Sequence, residues 1–579
     1  MKNERWIFLA LLIAFVVLAF SYSVTIPLGE AADEVTHFAY VQYLVAHQRL
    51  PSADGHVLGE SQQPPLYYLL GAIATAGISQ SDLQVIANPD FVLGDPDTPN
   101  LLLHTRREAF PYRDATLAWH LVRWLSILMG AVTVWATWRI AQIIFPDDVW
   151  IALVSAACIA FLPGFLLISS VVNNDNLVIM LTSLGVLQIV RMTRQSWRQR
   201  DALILGIILG LTLVTKVSGL VAWGYAMIAF GFQAFTTREW KQVILSFALC
   251  FGAAAVIFAP WALYNQVTFG DPFAWSVYLS IASLRTIPAG WHDWKDIAGA
   301  LFTSFWGRFG GALELKMPQA FYLLLGGLSI TAILGWLGYA YDAIRHRLDA
   351  QVRVLLFLFS AFWLVLLMAY VRWSAGDLAA GQARLLFPGL PLFVIVFTAG
   401  IARLFAAHKR TALGALFATF SFIALFVLVS INSVFAPPSQ SVGPLSSLGG
   451  LASPANFGET IRVIDHSVVQ ARANRGDTIP VNFYWQAIDN PTTDYWLLLQ
   501  LVDKNGVVAN QDGVPTSGTL TTDWWLQDQV FVSRHTLTIP KDTLPGNYTL
   551  WLGLHPFGNW NWLQVSGQDM LELGEIEIN

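Results

Sequence analysis

The sequence WIFLALLIAFVVLAFSYSVTI, residues 6–26, contains no charged side chain and is long enough to cross a bilayer as one helix. A secretory signal peptide would have a shorter apolar core and a small-residue cleavage site, so we interpret this run as a first transmembrane helix with a cytoplasmic N-terminus. Further apolar runs follow at residues 119–144, 150–170, 175–191, 202–215, 217–236, 242–262, 319–341, 354–371, 386–406 and 411–435. Together they predict a polytopic α-helical membrane protein with about 11 spans.

The composition of the 579-residue chain agrees with a membrane protein. Hydrophobic residues make up 55% of it and charged residues 12%, about half of the usual share in soluble domains. The formal net charge is −5, so the strongly basic character of a nucleic-acid-binding protein is missing, and no nucleic-acid partner is expected. Cys158 and Cys250 both lie in apolar runs, which excludes a disulfide framework and argues against a cysteine-bound metal.

The placement of lysine and arginine predicts the orientation in the membrane. Basic residues lie in or beside four of the short connections expected on the N-terminal side, residues 192–201, 237–241, 342–353 and 407–410. The connection at residues 145–149 is the exception. Because cytoplasmic loops carry an excess of lysine and arginine, we expect a multi-pass protein of the plasma (inner) membrane, with its N-terminus in the cytoplasm and its C-terminus outside.

Loops and a change of pattern divide the chain into domains. Two long loops, residues 27–118 and 264–318, fall on the expected outer side and belong to a transmembrane domain of residues 1–435. Residues 436–453 are rich in Pro, Ser and Gly and are interpreted as a linker. From residue 454 to residue 579 apolar residues alternate with polar ones, which predicts an extracytoplasmic β-sandwich.

Alternation and a turn signal support the sandwich. Tyr548, Leu550, Leu552 and Leu554 would share one face of a strand, and Asn505-Gly506 between two strand-like runs predicts a β-hairpin. The tryptophans of this domain fit either a sugar-stacking surface or, as we favour, the sandwich core. They are Trp524, Trp525, Trp560 and Trp562.

An acidic pair follows the first span directly. In PLGEAADEVTH, residues 27–37, Asp33 or Glu34 could act as a general base toward a hydroxyl, or could be the N-cap and first-turn acids of a helix over residues 34–47. His37 lies one helical turn after Glu34 and could complete a metal site. A hydrogen-bonding role at the edge of a site is favoured for His37, and a divalent cation is left open.

Other polar residues fall at the predicted outer ends of spans. Asp175, in VNNDN at residues 172–176, is either a functional acid or a helix N-cap. Arg123, Lys216 and Arg384 could hold a phosphate, or could extend toward lipid headgroups. No certain cofactor follows from these residues.

The segment QPPLYY, residues 63–68, places two aromatic residues after a stiff Pro-Pro entry. Tyr67 could stack on a sugar or anchor the loop at the membrane surface together with Tyr68, and anchoring is favoured.

Six segments, in this order, resemble the GT-C class of integral-membrane glycosyltransferases, in particular the protein O-mannosyltransferase and aminoarabinose transferase families and their bacterial relatives. They are ADEVTHFAY (32–40), QPPLYY (63–68), RWLS (123–126), NDNL (174–177), LVTK (213–216) and RLLFPGLP (384–391). The resemblance implies inverting transfer of a sugar from a polyprenyl-phosphate donor on the outer face of the membrane. The acceptor, a lipid, a glycan or a protein, stays open.

The resemblance also assigns roles to residues. Asp33 matches the acidic residue that acts as, or beside, the catalytic base, with Glu34 as its neighbour. Asp175 matches a second outer acid, and Arg123 matches a basic residue at the start of the second span. The matches at Lys216 and Arg384 are looser.

Two other functions are compatible with the same residues. A lipid-linked sugar flippase or transporter would also carry ionisable groups at membrane depth, but it would place them near the midplane, between paired repeats. A scaffold that binds an envelope polymer through the sandwich is the third possibility. The transferase is favoured because the charges gather in and beside one long loop.

Overall fold

The computed structural model describes residues 2–52, 59–81, 85–93, 100–195, 197–309, 315–345, 348, 350–378, 380–435, 454–468, 472–516 and 520–579. The chain divides into two compact units. The first comprises Met1–Ile26, Ala31–Ser81 and Leu117–Ile431, and the second comprises Pro27–Glu30, Asp82–Thr116 and Asn432–Asn579. The predicted linker, residues 436–453, lies outside the described residues.

Long apolar segments form long helices, as the sequence predicts. The α-helices are α1 (Lys2–Thr25), α2 (Glu34–His47), α3 (Leu66–Ala74), α4 (Asp114–Ile144), α5 (Val149–Ala160), α6 (Pro163–Ser169), α7 (Asp175–Arg194), α8 (Gln199–Leu213), α9 (Leu220–Thr237), α10 (Trp240–Phe269), α11 (Trp275–Ile281), α12 (Trp291–Trp306), α13 (Gln319–Ile344), α14 (Ala350–Ser374), α15 (Leu390–Leu404) and α16 (Lys409–Phe435).

Within the described residues, nine helices are long and apolar enough to cross a membrane, or ten if α5 and α6, which bend by 61° at a short break, count as one span. A polytopic α-helical membrane protein is therefore confirmed, whereas the count of 11 spans is not. The difference arises at residues 202–215, where α8 has 15 residues, fewer than the roughly 20 of a complete span. The bend follows from Pro163, whose ring favours the first position of a helix.

The second unit contains a sandwich of two sheets, in which all neighbouring strands are antiparallel except one parallel pair. Two short antiparallel strands, β1 (Arg308–Phe309) and β2 (Leu315–Lys316), lie in the first unit. The strands of the sandwich are β3 (Ala455–Phe457), β4 (Ile461–Val468), β5 (Arg472–Ala473), β6 (Thr478–Ala487), β7 (Tyr495–Asp503), β8 (Gly506–Gly513), β9 (Val530–Thr538), β10 (Gly546–Pro556) and β11 (Met570–Ile578). One sheet has the order β5-β11-β10-β7-β8, and the other has the order β3-β4-β6-β9.

The alternating pattern decides which side chains form the sandwich core. Alternate residues of β6 and β10 are buried in it, and β7 and β8 pair across Asn505-Gly506 with Asp503 opposite Gly506, so the predicted hairpin is confirmed. Trp525 is fully buried and Trp524 packs against the core, as favoured from the sequence. Trp560 is 61% exposed and is no core residue.

The first long loop contributes to both units. Its helices α2 and α3 belong to the first unit, and α3, with nine residues, is too short to span a membrane. Residues 82–116 of the same loop are grouped with the sandwich.

Candidate active site

A cavity of about 510 Å³ lies in the first unit, a volume typical of small-molecule sites. Its polar lining includes Asp33, His37, Glu60, Lys216 and Arg384. The rest of the wall is largely apolar, with Leu220, Val221, Phe273, Trp275, Leu366, Trp373 and Pro388 among its residues. A ligand with a charged head and an apolar body matches such a lining. The structure thus brings four of the predicted site residues to one cavity.

The backbone at Asp33 has an unusual conformation. Asp33 stands at the N-cap position of α2 with φ of 63°, in the left-handed region that few residues other than Gly, Asn and Asp adopt. Its side chain makes no cap hydrogen bond, and its carboxylate pairs instead with the Arg384 guanidinium. The N-cap interpretation of Asp33 therefore describes its position in the chain but not what its side chain does.

Two carboxylates and two cations form a connected group beside the cavity. Arg384 pairs with Asp33 and lies 3.7 Å from Asp175, from Nε to Oδ2. Lys216 Nζ lies 2.5 Å from Oδ1 of the same Asp175. The four side chains together carry no net charge, and each of the two cations has a carboxylate partner.

Breaks in the helices place the members of this group. Lys216 lies between α8 and a 3₁₀ turn at Val217–Gly219, where the apolar run is interrupted. Asp175 begins α7, where the helix dipole favours a negative charge, and Arg384 lies in the 3₁₀ segment Ala383–Gly389. Because all three are at helix ends, their charged groups converge without entering the middle of a span.

Charge in the cavity sets the protonation of Asp33. The neighbouring Arg384 lowers the pKa of Asp33 to about 2, although partial burial acts in the opposite direction. Asp33 is thus ionised at any physiological pH. Its side chain keeps 48% of its surface exposed, so an incoming hydroxyl can reach it.

His37 is held by an aromatic hydroxyl. Its Nδ1 lies 2.8 Å from the Tyr68 hydroxyl, which also accepts a hydrogen bond from the side-chain Nδ2 of Asn174 at 3.1 Å. Burial lowers the pKa of His37 to about 3, so the ring is neutral and can donate from one nitrogen and accept at the other. The contact with Tyr68 is compatible with the hydrogen-bonding role that the sequence analysis favours for His37, which stays a prediction.

Glu34 does not line the cavity. Its carboxylate and the Arg123 guanidinium, both with fully buried side chains, form a bidentate ion pair with N···O distances of 2.6 and 2.7 Å. Glu34 also accepts hydrogen bonds from Trp119 Nε1 at 3.1 Å and from the Val172 amide at 2.9 Å. The pair joins α2 to α4 and to the turn before α7, and neither residue lines the cavity.

Tyr67 is likewise enclosed by protein. Its ring is fully buried, and its hydroxyl lies 2.8 Å from Ser126 Oγ and accepts a hydrogen bond from the Asn173 amide at 3.1 Å. Neither stacking on a sugar nor anchoring at a membrane surface is open to a ring with no exposed surface. Tyr67 and Tyr68 instead link α3 to the asparagine-rich turn that precedes Asp175.

Glu60 is a site residue that the sequence analysis missed. It lines the cavity, and its Oε2 is buried without a hydrogen-bond partner among the described residues. Burial and the nearby Asp33 raise the pKa of Glu60 to about 8. The signal that could have found it is its position three residues before QPPLYY; nothing in the surrounding composition distinguishes it.

Replacing Glu60 by Gln is expected to raise the melting temperature, by an amount that grows with pH. Above about pH 4.5 the unfolded chain loses the Glu60 proton, whereas the folded protein keeps it up to about pH 8, so wild-type stability falls with rising pH across this interval. Gln cannot ionise and escapes this loss. Thermal unfolding of both purified proteins at several pH values measures the difference in melting temperature between Glu60→Gln and the wild type. A difference that stays constant with pH would contradict the prediction.

The described residues contain no group of three or more His, Cys, Asp or Glu side chains arranged to hold a metal ion. His37 therefore lacks, within the part of the chain that the structure covers, the partners for the metal site considered from the sequence.

A comparison with known proteins finds one family model that matches part of this chain. Residues 119–264, about a quarter of the chain, match the family model of dolichyl-phosphate-mannose-protein mannosyltransferases. Arg123, Asp175 and Lys216 lie within that match. No curated protein sequence matches the chain.

Several solved structures are similar at low identity. The Archaeoglobus fulgidus oligosaccharyltransferase is 14% identical with a TM-score of 0.44, over 73% of this chain and 53% of that one. ArnT from Cupriavidus metallidurans is 12% identical with a TM-score of 0.44, over 75% and 77%. The S. cerevisiae protein O-mannosyltransferase Pmt1-Pmt2 complex is 16% identical with a TM-score of 0.34, over 46% and 34%.

This chain spans about half the length of the archaeal enzyme, and TM-scores below 0.5 establish no function for it. The family match is of a different kind, because it covers the stretch that supplies three residues of the predicted site. That match confirms the resemblance of this polytopic membrane protein to the GT-C class of integral-membrane glycosyltransferases.

Proposed function

We propose that this protein transfers a sugar from a polyprenyl-phosphate donor to an acceptor hydroxyl, with inversion at the anomeric carbon. The observation that carries the proposal is the cavity itself, in which Lys216 and Arg384 stand among charged groups and the remaining wall is apolar. A lipid-linked sugar phosphate has this division, a phosphate for the two cations and a hydrocarbon chain for the apolar wall.

The reaction needs one base and an anion-stabilising environment. The acceptor oxygen attacks the anomeric carbon opposite the phosphate, the carbon–oxygen bond to phosphate breaks, and the bonding pair stays on the phosphate oxygen. The acceptor proton passes to the Asp33 carboxylate. Because the donor diester becomes a monoester with additional negative charge, Lys216 and Arg384 stabilise the transition state more than the bound donor.

Arg384 links donor binding to the strength of the base. With Arg384 paired to Asp33, the pKa of Asp33 is about 2, too low for an efficient general base near neutral pH. A donor phosphate that draws the guanidinium away removes the main cause of this lowering, and the pKa of Asp33 rises toward its ordinary value. The base would thus be activated only when the donor is in place.

The site is proposed to open on the outer side of an inner membrane, as the distribution of basic residues between short connections predicts. The sugar can be a hexose or a pentose, and the acceptor a lipid, a glycan or a protein. In this arrangement Asp175 holds Lys216 and Arg384 in position, and His37 hydrogen-bonds to the sugar or the acceptor. Glu34, Arg123 and Tyr67 keep the loop in place.

The proposal is tested by transfer from radiolabelled polyprenyl-phosphate sugars, several hexoses and pentoses in turn, to membranes that contain the purified protein. Release of unlabelled polyprenyl phosphate together with label in an acceptor would support it. Movement of uncleaved donor across the bilayer without any cleavage would overturn it in favour of a flippase.

Lys216→Met is expected to lower the transfer rate by about 10²–10³-fold, the usual cost of removing one group that stabilises developing negative charge. The matched control is Lys295→Met, which removes an exposed lysine outside the cavity. Equal rates for the two variants, at equal amounts of folded protein, would contradict a role of Lys216 at the phosphate.

A further inference from the structure

We propose that the second unit contains a saccharide-binding pocket, separate from the cavity described above. The pocket has a volume of about 300 Å³, and two stretches of chain far apart in the sequence build it. Thr105, Arg107 and Glu108 come from the first long loop, whereas Thr493, Asp494 and Phe557 come from loops of the sandwich. This site does not depend on the proposed transfer reaction.

Asp494 points to a missing partner. Both of its carboxylate oxygens are buried, and neither accepts a hydrogen bond of regular geometry from the described residues. The backbone N–H of Thr522 and the indole N–H of Trp496 are near enough to favour the ionised form, but they do not satisfy the two oxygens. A buried polar group without a partner destabilises a protein, and more so if it is charged, so such groups are rare in native structures. A ligand that donates hydrogen bonds into the pocket would supply what Asp494 lacks.

The neighbouring Asp523, in the same pocket, has hydrogen-bond donors for its carboxylate, unlike Asp494. It accepts hydrogen bonds from the Arg106 amide at 2.8 Å and from the Thr521 hydroxyl at 2.6 Å. Burial, and then the charge of Asp523, raise the pKa of Asp494 to about 7. Near neutral pH Asp494 therefore offers both a donor and acceptors.

The lining favours hydroxyl groups as the ligand chemistry. Threonine hydroxyls and carboxyl groups both donate and accept hydrogen bonds, as each hydroxyl of a sugar does. An anion is disfavoured because Glu108, Asp494 and Asp523 outnumber the single cation Arg107. The Phe557 ring, 39% exposed, offers an apolar surface for the C–H face of a pyranose or furanose.

The loop that forms half of the pocket is held firmly to the sandwich. His104 lies 3.0 Å from Glu108 through Nδ1 and 3.1 Å from Glu30 through Nε2. The carbonyl of His104 accepts hydrogen bonds from the Thr521 hydroxyl at 2.9 Å and from Trp524 Nε1 at 3.0 Å. A pocket whose walls are already ordered loses little entropy when a ligand binds.

The experiment uses the full chain in lipid nanodiscs on an array of immobilised mono- to tetrasaccharides of neutral hexoses, pentoses and amino sugars. We expect binding to a subset of neutral glycans, reduced at least tenfold in Asp494→Asn and in Phe557→Ala. Asp494→Asn should not lower the melting temperature, because it removes an unsatisfied buried carboxylate. The control variant is Asp542→Asn, which changes an exposed aspartate of the same unit.

Three outcomes would overturn the proposal. The first is no binding above that of empty nanodiscs. The second is binding that Asp494→Asn, Phe557→Ala and Asp542→Asn leave equally strong, which would place the sugar elsewhere. The third is binding confined to amino sugars and abolished by ammonium ions, which would make the pocket a cation site. None of these measures sugar transfer, so they leave the proposed reaction to its own test.

Discussion

Asp33→Asn is expected to lower glycosyl transfer by about 10²–10⁴-fold, the usual contribution of a general base, while the protein folds normally. Asn keeps the shape of the side chain and tolerates the left-handed backbone at this position, where φ is 63°. It cannot take a proton from the acceptor. Donor binding should change little or tighten, because Arg384 no longer has the Asp33 carboxylate as a partner.

The measurement separates these effects by following donor binding and transfer in the same preparations. The matched control is Asp296→Asn, an exposed aspartate of the second long loop that does not line the cavity. Wild-type transfer by a folded, equally abundant Asp33→Asn protein would rule out Asp33 as the base. In that case Glu60, another carboxyl group that lines the cavity, would be tested next by the same assay.

The helical architecture could be predicted from the sequence because a bilayer demands long apolar runs, and such runs can be counted. The count failed at α8, where the break that places Lys216 shortens a helix within an almost continuous apolar stretch. The sandwich strands were visible for a similar reason, since a half-buried strand alternates with period two. Residues 82–116 belong to the same unit as the sandwich, but no periodic pattern in their sequence predicts this.

The candidate site was predictable only in part. Asp33 and Glu34 are adjacent and chemically alike, yet the backbone between them turns one carboxylate toward Arg384 and the other into a buried pair with Arg123. Their partners lie 351 and 89 residues away, a distance that no local pattern encodes. Glu60 was missed for a related reason, because its environment comes from tertiary packing.

Breaking the buried pair between Glu34 and Arg123 is expected to cost about 3–5 kcal/mol of unfolding free energy, because either single change leaves an uncompensated charge in the interior. Arg123→Met should be the more damaging, since Arg123 also donates hydrogen bonds to the carbonyls of Ser23 and Ile26 at 2.6 and 2.7 Å. Glu34→Gln keeps hydrogen-bonding atoms toward Trp119 and the Val172 amide. Denaturation of the purified protein in detergent measures both.

The double variant Glu34→Gln/Arg123→Met completes the cycle and decides whether the pair supports the loop or takes part in catalysis. If the pair only positions the loop, removing both charges should destabilise the protein by less than the sum of the two single changes, because no buried charge is left alone. Transfer per folded molecule should then fall far less in Glu34→Gln than in Asp33→Asn. A Glu34→Gln protein with wild-type stability and no transfer would instead make Glu34 part of the chemistry, although its carboxylate is fully buried.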